Sequence, residues 1–220
     1  MSCARATRLA VLFACVSVAV VAPSYSTGVP DAAAFPGADG ALVFLRRSND
    51  ADLRRVETDG TGMRVFARLG GTVLGPTWSP DGRRIAFDAS TSRFRGGQIY
   101  VVPGHAYLEP RRLTTDRGEV HGPAWSPDGS RIIFVAKAMG RRAQWRLDVM
   151  NMNGTERKTL LRVRSRAIRD PAWSPDGTQI AYAIDDQIYV TSSKGGARGR
   201  RLTSGNAPSW SPDGARYRAT

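Results

Sequence analysis

Four copies of one short string dominate this chain: Trp-Ser-Pro-Asp-Gly, beginning at Trp78, Trp125, Trp173 and Trp210. The tryptophans lie 47, 48 and 37 residues apart, and each copy is preceded by Pro-x, as in Pro76-Thr77 and Pro171-Ala172. Ser-Pro-Asp-Gly has the chemistry of a tight turn. Proline presets its own φ, the aspartate side chain caps nearby backbone, and glycine accepts positive φ without steric cost. Alternating apolar residues follow, as in Arg84-Ile85-Ala86-Phe87, which predicts a strand leaving the turn. A period of about 40 residues with this content is the signature of propeller blades, each a four-stranded antiparallel sheet. The 23 glycines and 13 prolines suit an all-β fold with many turns.

The rest of each repeat supplies the remaining strands. Gln98–Val102, Arg146–Met150 and Gln187–Val190 read as third strands. Arg111–Thr114, Arg157–Leu161 and Arg200–Thr203 read as fourth strands, whose paired basic residues suit an outer edge. Upstream, Ala41–Leu45, Leu53–Glu57 and Met63–Ala67 match the second to fourth strands of a further blade without a first. Downstream, Ala207–Ser211 is a first strand without a full blade. The expected fold is thus an all-β propeller of about four blades. It is either closed by the C-terminal strand joining the N-terminal blade, or cut from a longer propeller.

These repeats resemble the TolB-like propeller family, which is related to WD-type propellers and to the propeller domains of prolyl-oligopeptidase-type peptidases. The resemblance rests on Pro-x-Trp-Ser-Pro-Asp-Gly, on the Ile-Tyr-Val strand and on the Arg-Arg-Leu-Thr strand, and it runs from Phe35 onwards. It implies a structural role for Trp78, Asp81, Gly82, Trp125, Asp128, Gly129, Trp173, Asp176, Gly177, Trp210, Asp213 and Gly214. Two departures stand out: the separate N-terminal domain and the six blades of TolB itself have no counterpart in the repeat pattern. The last copy also decays, with Tyr217-Arg218-Ala219 where Ile85-Ala86-Phe87 stands earlier.

Residues 1–34 read as a leader and residues 35–220 as the propeller domain. Arg5 and Arg8 precede an apolar run, Leu9 to Ala22, and a small-residue region, Pro23 to Ala34. That order predicts a secretory signal peptide. The apolar run is shorter than the roughly 20 residues a bilayer span needs. Cleavage after Ser26 or after Ala34 both fit, and Phe35-Pro36-Gly37 favours the second. Both cysteines, Cys3 and Cys15, fall in this leader, so the mature chain is expected to lack disulfides and thiolate chemistry.

Catalytic signals are sparse. There is no Gly-x-Ser-x-Gly elbow, and Ser79, Ser126, Ser174 and Ser211 recur in identical turns. His105 and His121 are the two histidines, without metal-ligand spacing. The stretch Asp148 to Glu156 superficially resembles a calcium loop, but its spacing is wrong and a turn between third and fourth strands is the better reading. No catalytic residue, metal or cofactor is predicted. Function is assigned instead to loops that differ between blades, since loops carry function on a repeated scaffold. The segments entering each first strand contribute Glu119, His121, Arg169, Asp170 and Asn206 as the candidate binding face.

The net charge is +13, and 32 residues are basic although Lys137, Lys158 and Lys194 are the only lysines. Such a surface attracts polyanions, but the arginines are spread over every repeat, which disfavours nucleic acid. The sequence predicts an exported, non-catalytic scaffold for a protein or an anionic cell-envelope polymer, with no span in the mature chain. A propeller enzyme of lyase or hydrolase type and a remnant of a longer gene are the alternatives.

Overall fold

The computed structural model describes residues 41–46, 52–68, 71–91, 94–105, 107–140, 144–164, 166–196, 199–214 and 217–218. The predicted leader lies outside the described residues. Every regular element described is a strand.

The first sheet holds β1 (Ala41–Arg46), β2 (Asp52–Glu57) and β3 (Arg64–Arg68). Three complete blades follow. Blade two is β4 (Gly71–Trp78), β5 (Arg84–Thr91), β6 (Phe94–Pro103) and β7 (Arg111–Arg112). Blade three is β8 (Glu119–Trp125), β9 (Arg131–Lys137), β10 (Gln144–Asn151) and β11 (Lys158–Arg164). Blade four is β12 (Ile168–Trp173), β13 (Gln179–Ile184), β14 (Gln187–Ser192) and β15 (Arg200–Ser204). The hairpin β16 (Ser209–Trp210) and β17 (Tyr217–Arg218) begins another sheet. All pairings are antiparallel between sequence neighbours, the arrangement expected of a partial propeller of about four blades.

The Ser-Pro-Asp-Gly turn explains its own recurrence. Ser126 Oγ donates to Asp128 Oδ1 at 2.5 Å, the Arg131 N–H donates to Ser126 Oγ at 2.9 Å, and the Ser130 N–H donates to Asp128 Oδ1 at 3.1 Å. The same three bonds recur around Ser79–Asp81 and Ser174–Asp176. Burial raises the Asp128 carboxyl, but the bonds from Ser126 and Ser130 outweigh it and hold its pKa below the usual range. Gly129 sits at φ 68°, and a Cβ there would meet Pro80 Cδ of the preceding blade at 3.6 Å. The turns therefore stack from blade to blade.

Tryptophan joins the blades. Trp125 Nε1 donates to the Thr77 carbonyl at 3.2 Å, Trp173 Nε1 to the Ala124 carbonyl at 3.3 Å, and Trp210 Nε1 to the Ala172 carbonyl at 3.2 Å. Each indole reaches back to the residue beside the preceding tryptophan, so its polar edge is satisfied, and Trp125 and Trp173 also bury their apolar area. Between blades the core divides into three seams. Val43, Leu53, Ile85 and Phe87 fill the first, Ile99, Val120, Ile132 and Phe134 the second, and Val135, Leu147, Ile180 and Tyr182 the third.

Two expectations change. The C-terminal strand does not join β1: Trp210 pairs with Tyr217 of β17 as Trp78 pairs with Ile85. Its indole is tied to Ala172 of blade four, which places β16 as the inner strand of a following sheet. The second change concerns Arg157, which is not an outward edge charge. Its guanidinium lies 4.9 Å over the Phe134 ring and binds Asp148 at 2.6 Å and Asp116 at 2.5 Å. In the neighbouring blades Tyr100 stacks on Phe87 and Tyr189 on Tyr182. Blade three has Asp148 where those tyrosines stand, opposite Phe134, and Arg157 supplies the missing flat cover. Asp148 lies within β10, ahead of the third-to-fourth strand turn, and is held by Arg146 and Arg157, not presented to a cation.

Candidate functional site

The end of the blades opposite the Ser-Pro-Asp-Gly turns carries the candidate site. On the way to it the inner strands β4, β8 and β12 each carry a bulge, with register shifts at Leu74/Thr77, His121/Ala124 and Arg169/Ala172. The residue before each bulge proline has positive φ: Gly75 at 52°, Gly122 at 63°, Asp170 at 50° and, ahead of Pro208, Ala207 at 46°. Proline has no N–H to lose from the ladder, so the bulge is where it is tolerated. The residues one step earlier are Leu74, His121, Arg169 and Asn206. One backbone device thus presents four different side chains at equivalent positions.

Glu119 and His121 on β8 meet Lys137 from the end of β9 and Trp145 from the start of β10. His121 packs edge-on against Trp145, with centroids 5.7 Å apart and planes at 75°. Lys137 Nζ lies 5.0 Å over the same indole and 3.6 Å from Glu119 Oε2. Burial lowers the His121 pKa. Glu119 and Asp170 oppose that shift, while Arg169 and Lys137 reinforce it, so four charges from two blades act on one imidazole. Glu119, His121, Arg169 and Asp170 therefore gather at the seam between blades three and four.

Asn206 lies beside them. With Ala167, Arg169, Asp185 and Asp186 it lines a shallow hollow of about 270 Å³. Asn206 Nδ2 donates to Asp186 Oδ1 at 2.8 Å, and Arg166 Nε lies 3.3 Å from Asp185 Oδ2. Asp185 and Asp186 form the two-residue turn between β13 and β14, both at positive φ (46° and 58°), as such hairpins require.

Sequence reasoning missed Lys137, Trp145, Asp185, Asp186 and Asp88. Strand register exposes what could have revealed them, namely departures from the repeat. Trp145 occupies the position of Gly97 and Asp186, and Asp88 that of Val135 and Ala183. Asp88 is 4% exposed, and its Oδ1 accepts the Gly122 N–H at 3.2 Å, directly behind His121. Burial pushes its pKa up to about 6, against the Gly122 bond and one from its own amide. Among the described residues there is no cluster of three or more His, Cys, Asp or Glu able to hold a metal ion. No helix among them is long and apolar enough to cross a membrane.

No protein-family model and no curated protein sequence matches the chain. Solved structures do. TolB from Acinetobacter baumannii superposes with a TM-score of 0.66 at 21% identity, covering 81% of this chain and 46% of that one. Oligogalacturonate lyase in complex with manganese gives 0.64 at 17%, covering 80% and 57%. The nidogen/laminin complex gives 0.61 at 17%, covering 79% and 64%. The class is thereby defined: the chain has the fold of TolB-like β-propellers. It spans about half the length of the first two of these structures.

Proposed function

We propose that the chain is an exported, non-catalytic propeller that binds a partner through the face carrying the inner-strand bulges. One observation carries this reading: Leu74, His121, Arg169 and Asn206 share a backbone position but not a chemistry, while the opposite end of the blades repeats residue by residue. Variable side chains on a repeated frame are what recognition by a mosaic surface needs. A protein fits better than a uniformly anionic polymer, because the face mixes Arg169, Asp170, Glu119 and Lys137 within one seam. Several of its acids are already engaged, Glu119 by Lys137, Asp185 by Arg166 and Asp186 by Asn206, which supports binding over acid–base work. Export rests on the basic, apolar and small segments of residues 1–34.

The test is photo-crosslinking in the exporting host, with a photo-reactive residue at position 169 or, as control, at position 112 on the outer edge. A discrete protein adduct from position 169 alone is the expected result. The structure of oligogalacturonate lyase shares this fold, so the competing reading is an enzyme. Turnover of a carbohydrate or peptide substrate that disappears on His121→Ala or Asp170→Ala would replace our reading with that one.

A further inference from the structure

The outer rim of the blades is a second surface, apart from the bulged face. Each complete blade ends on an edge strand paired on one side only among the described residues: β7 of two residues, β11 of seven and β15 of five. Beyond its bulge, β11 runs regularly from Leu161 to Arg164, in register with Leu147 back to Gln144. Leu161 and Val163 are buried toward blade four, and Arg162 and Arg164 are exposed on the other side of the sheet. No such alternation exists on β15, where Arg200, Arg201, Thr203 and Ser204 are all exposed, and β7 is too short to show one.

The charges on that side of β11 are unbalanced. Arg162 stands directly opposite Arg146, and like charges in that position repel. Arg146 is neutralised by Asp116 and Asp148. Arg162 and Arg164 have no ion-pair partner among the described residues. An unpaired strand edge offers N–H and C=O groups to an incoming strand. With a net charge of +13, a second copy of this chain is a poor occupant of a basic edge.

We propose that the β11 edge receives an extended acidic peptide segment as a fifth strand of blade three. Its carboxylates face Arg162 and Arg164, and its intervening apolar residues face Leu161 and Val163. Backbone bonds hold the segment, and alternation of acidic with apolar residues selects it.

A labelled peptide of about eight residues, alternating valine and glutamate, tests this against the full chain by fluorescence anisotropy at low salt. Saturable binding is expected. It should weaken at least about tenfold in the Arg162→Glu/Arg164→Glu double variant, which alters exposed side chains only. Methylating alternate peptide nitrogens along the bonding edge should abolish it at unchanged charge. Arg200→Glu/Arg201→Glu and Arg169→Glu should leave it within about twofold. Absence of saturation at millimolar peptide overturns the proposal. Equal binding of the methylated peptide does too, since it leaves charge attraction alone. So does an equal loss in the β15 variant.

Discussion

The two ends of the blades follow opposite rules. At the Ser-Pro-Asp-Gly end the same bonds recur at Ser79, Ser126 and Ser174 with distances agreeing within a few tenths of an ångström. At the bulged end the backbone recurs but the side chains do not, and they include residues with strained φ or buried charge. The comparison separates what holds blades together from what distinguishes one blade from another. If it is right, substitutions at the first end cost stability and those at the second change recognition.

The largest expected effect is at the seam. Trp173→Ala removes a side chain that is 8% exposed and the bond to the Ala124 carbonyl between blades. A loss of about 3–5 kcal/mol is expected from the cavity and the orphaned carbonyl. Urea unfolding of the full chain measures it, and a loss below about 1 kcal/mol would mean that the tryptophans do not bind the blades together.

The second test takes the exception at the other end. Asp88 holds its proton up to about pH 6 in the folded chain, against about 3.9 in an unfolded one. Between those values the folded state carries the extra proton, so stability falls as pH rises through the window and stays low above it. At neutral pH the buried charge costs up to about 3 kcal/mol. Asp88→Asn keeps an acceptor for the Gly122 N–H and should raise the melting temperature at pH 7 while flattening the slope below pH 6. An unchanged melt with an unchanged slope would show that Asp88 is not what titrates.

The difference between the ends also marks what could be read from sequence. The Ser-Pro-Asp-Gly turn is local, because Ser126 and Asp128 are two residues apart and need no knowledge of neighbours. Strand positions followed from it almost throughout. What was hidden depends on register and on which side of a sheet a residue faces. Sequence alignment sets Arg157-Lys158 against Arg111-Arg112, yet Lys158 pairs with Val149 as Arg111 pairs with Val101. A one-residue slip therefore moved Arg157 off the edge strand, where its guanidinium covers the Phe134 ring and pairs with Asp116 and Asp148. Four of the five candidate face residues meet at one seam because inner-strand bulges are also locally encoded, by the proline that follows. Lys137 and Trp145 join them through pairing across strands, which no local signal announces.

A smaller effect is expected within the repeated turn. Ser126→Ala deletes the hydroxyl that donates to Asp128 and accepts the Arg131 N–H, at a cost of about 1–2 kcal/mol. The Asp128 carboxyl, relieved of its main support, should titrate higher, which NMR of the side chain reports. A loss equal to that of Trp173→Ala would place the turn and not the seam at the centre of stability.

Strain ahead of the prolines gives a change of opposite sign. Ala207 holds φ 46° before Pro208, a conformation that costs a residue with a Cβ about 1 kcal/mol. Ala207→Gly relieves that strain but gives the unfolded chain more freedom, and a net gain of about 0.5 kcal/mol is expected. A melt of the variant decides the sign, and destabilisation would mean that the alanine side chain holds the left-handed turn there.

The smallest stability effect belongs to the residue most tied to function. Arg169 is exposed on β12 and lines the hollow with Asn206, Asp185 and Asp186. Arg169→Glu should move unfolding by no more than about 0.5 kcal/mol, because it removes no packed surface. It also places a carboxylate beside Asp170, so the electrostatic character of the seam inverts while the frame is unchanged. The adduct formed by a photo-reactive residue at neighbouring position 206 should then disappear in the otherwise intact protein. Retention of that adduct at full yield would mean that the mouth of the bulges is not the recognition surface, and the division of labour between the two ends would fail at its functional half.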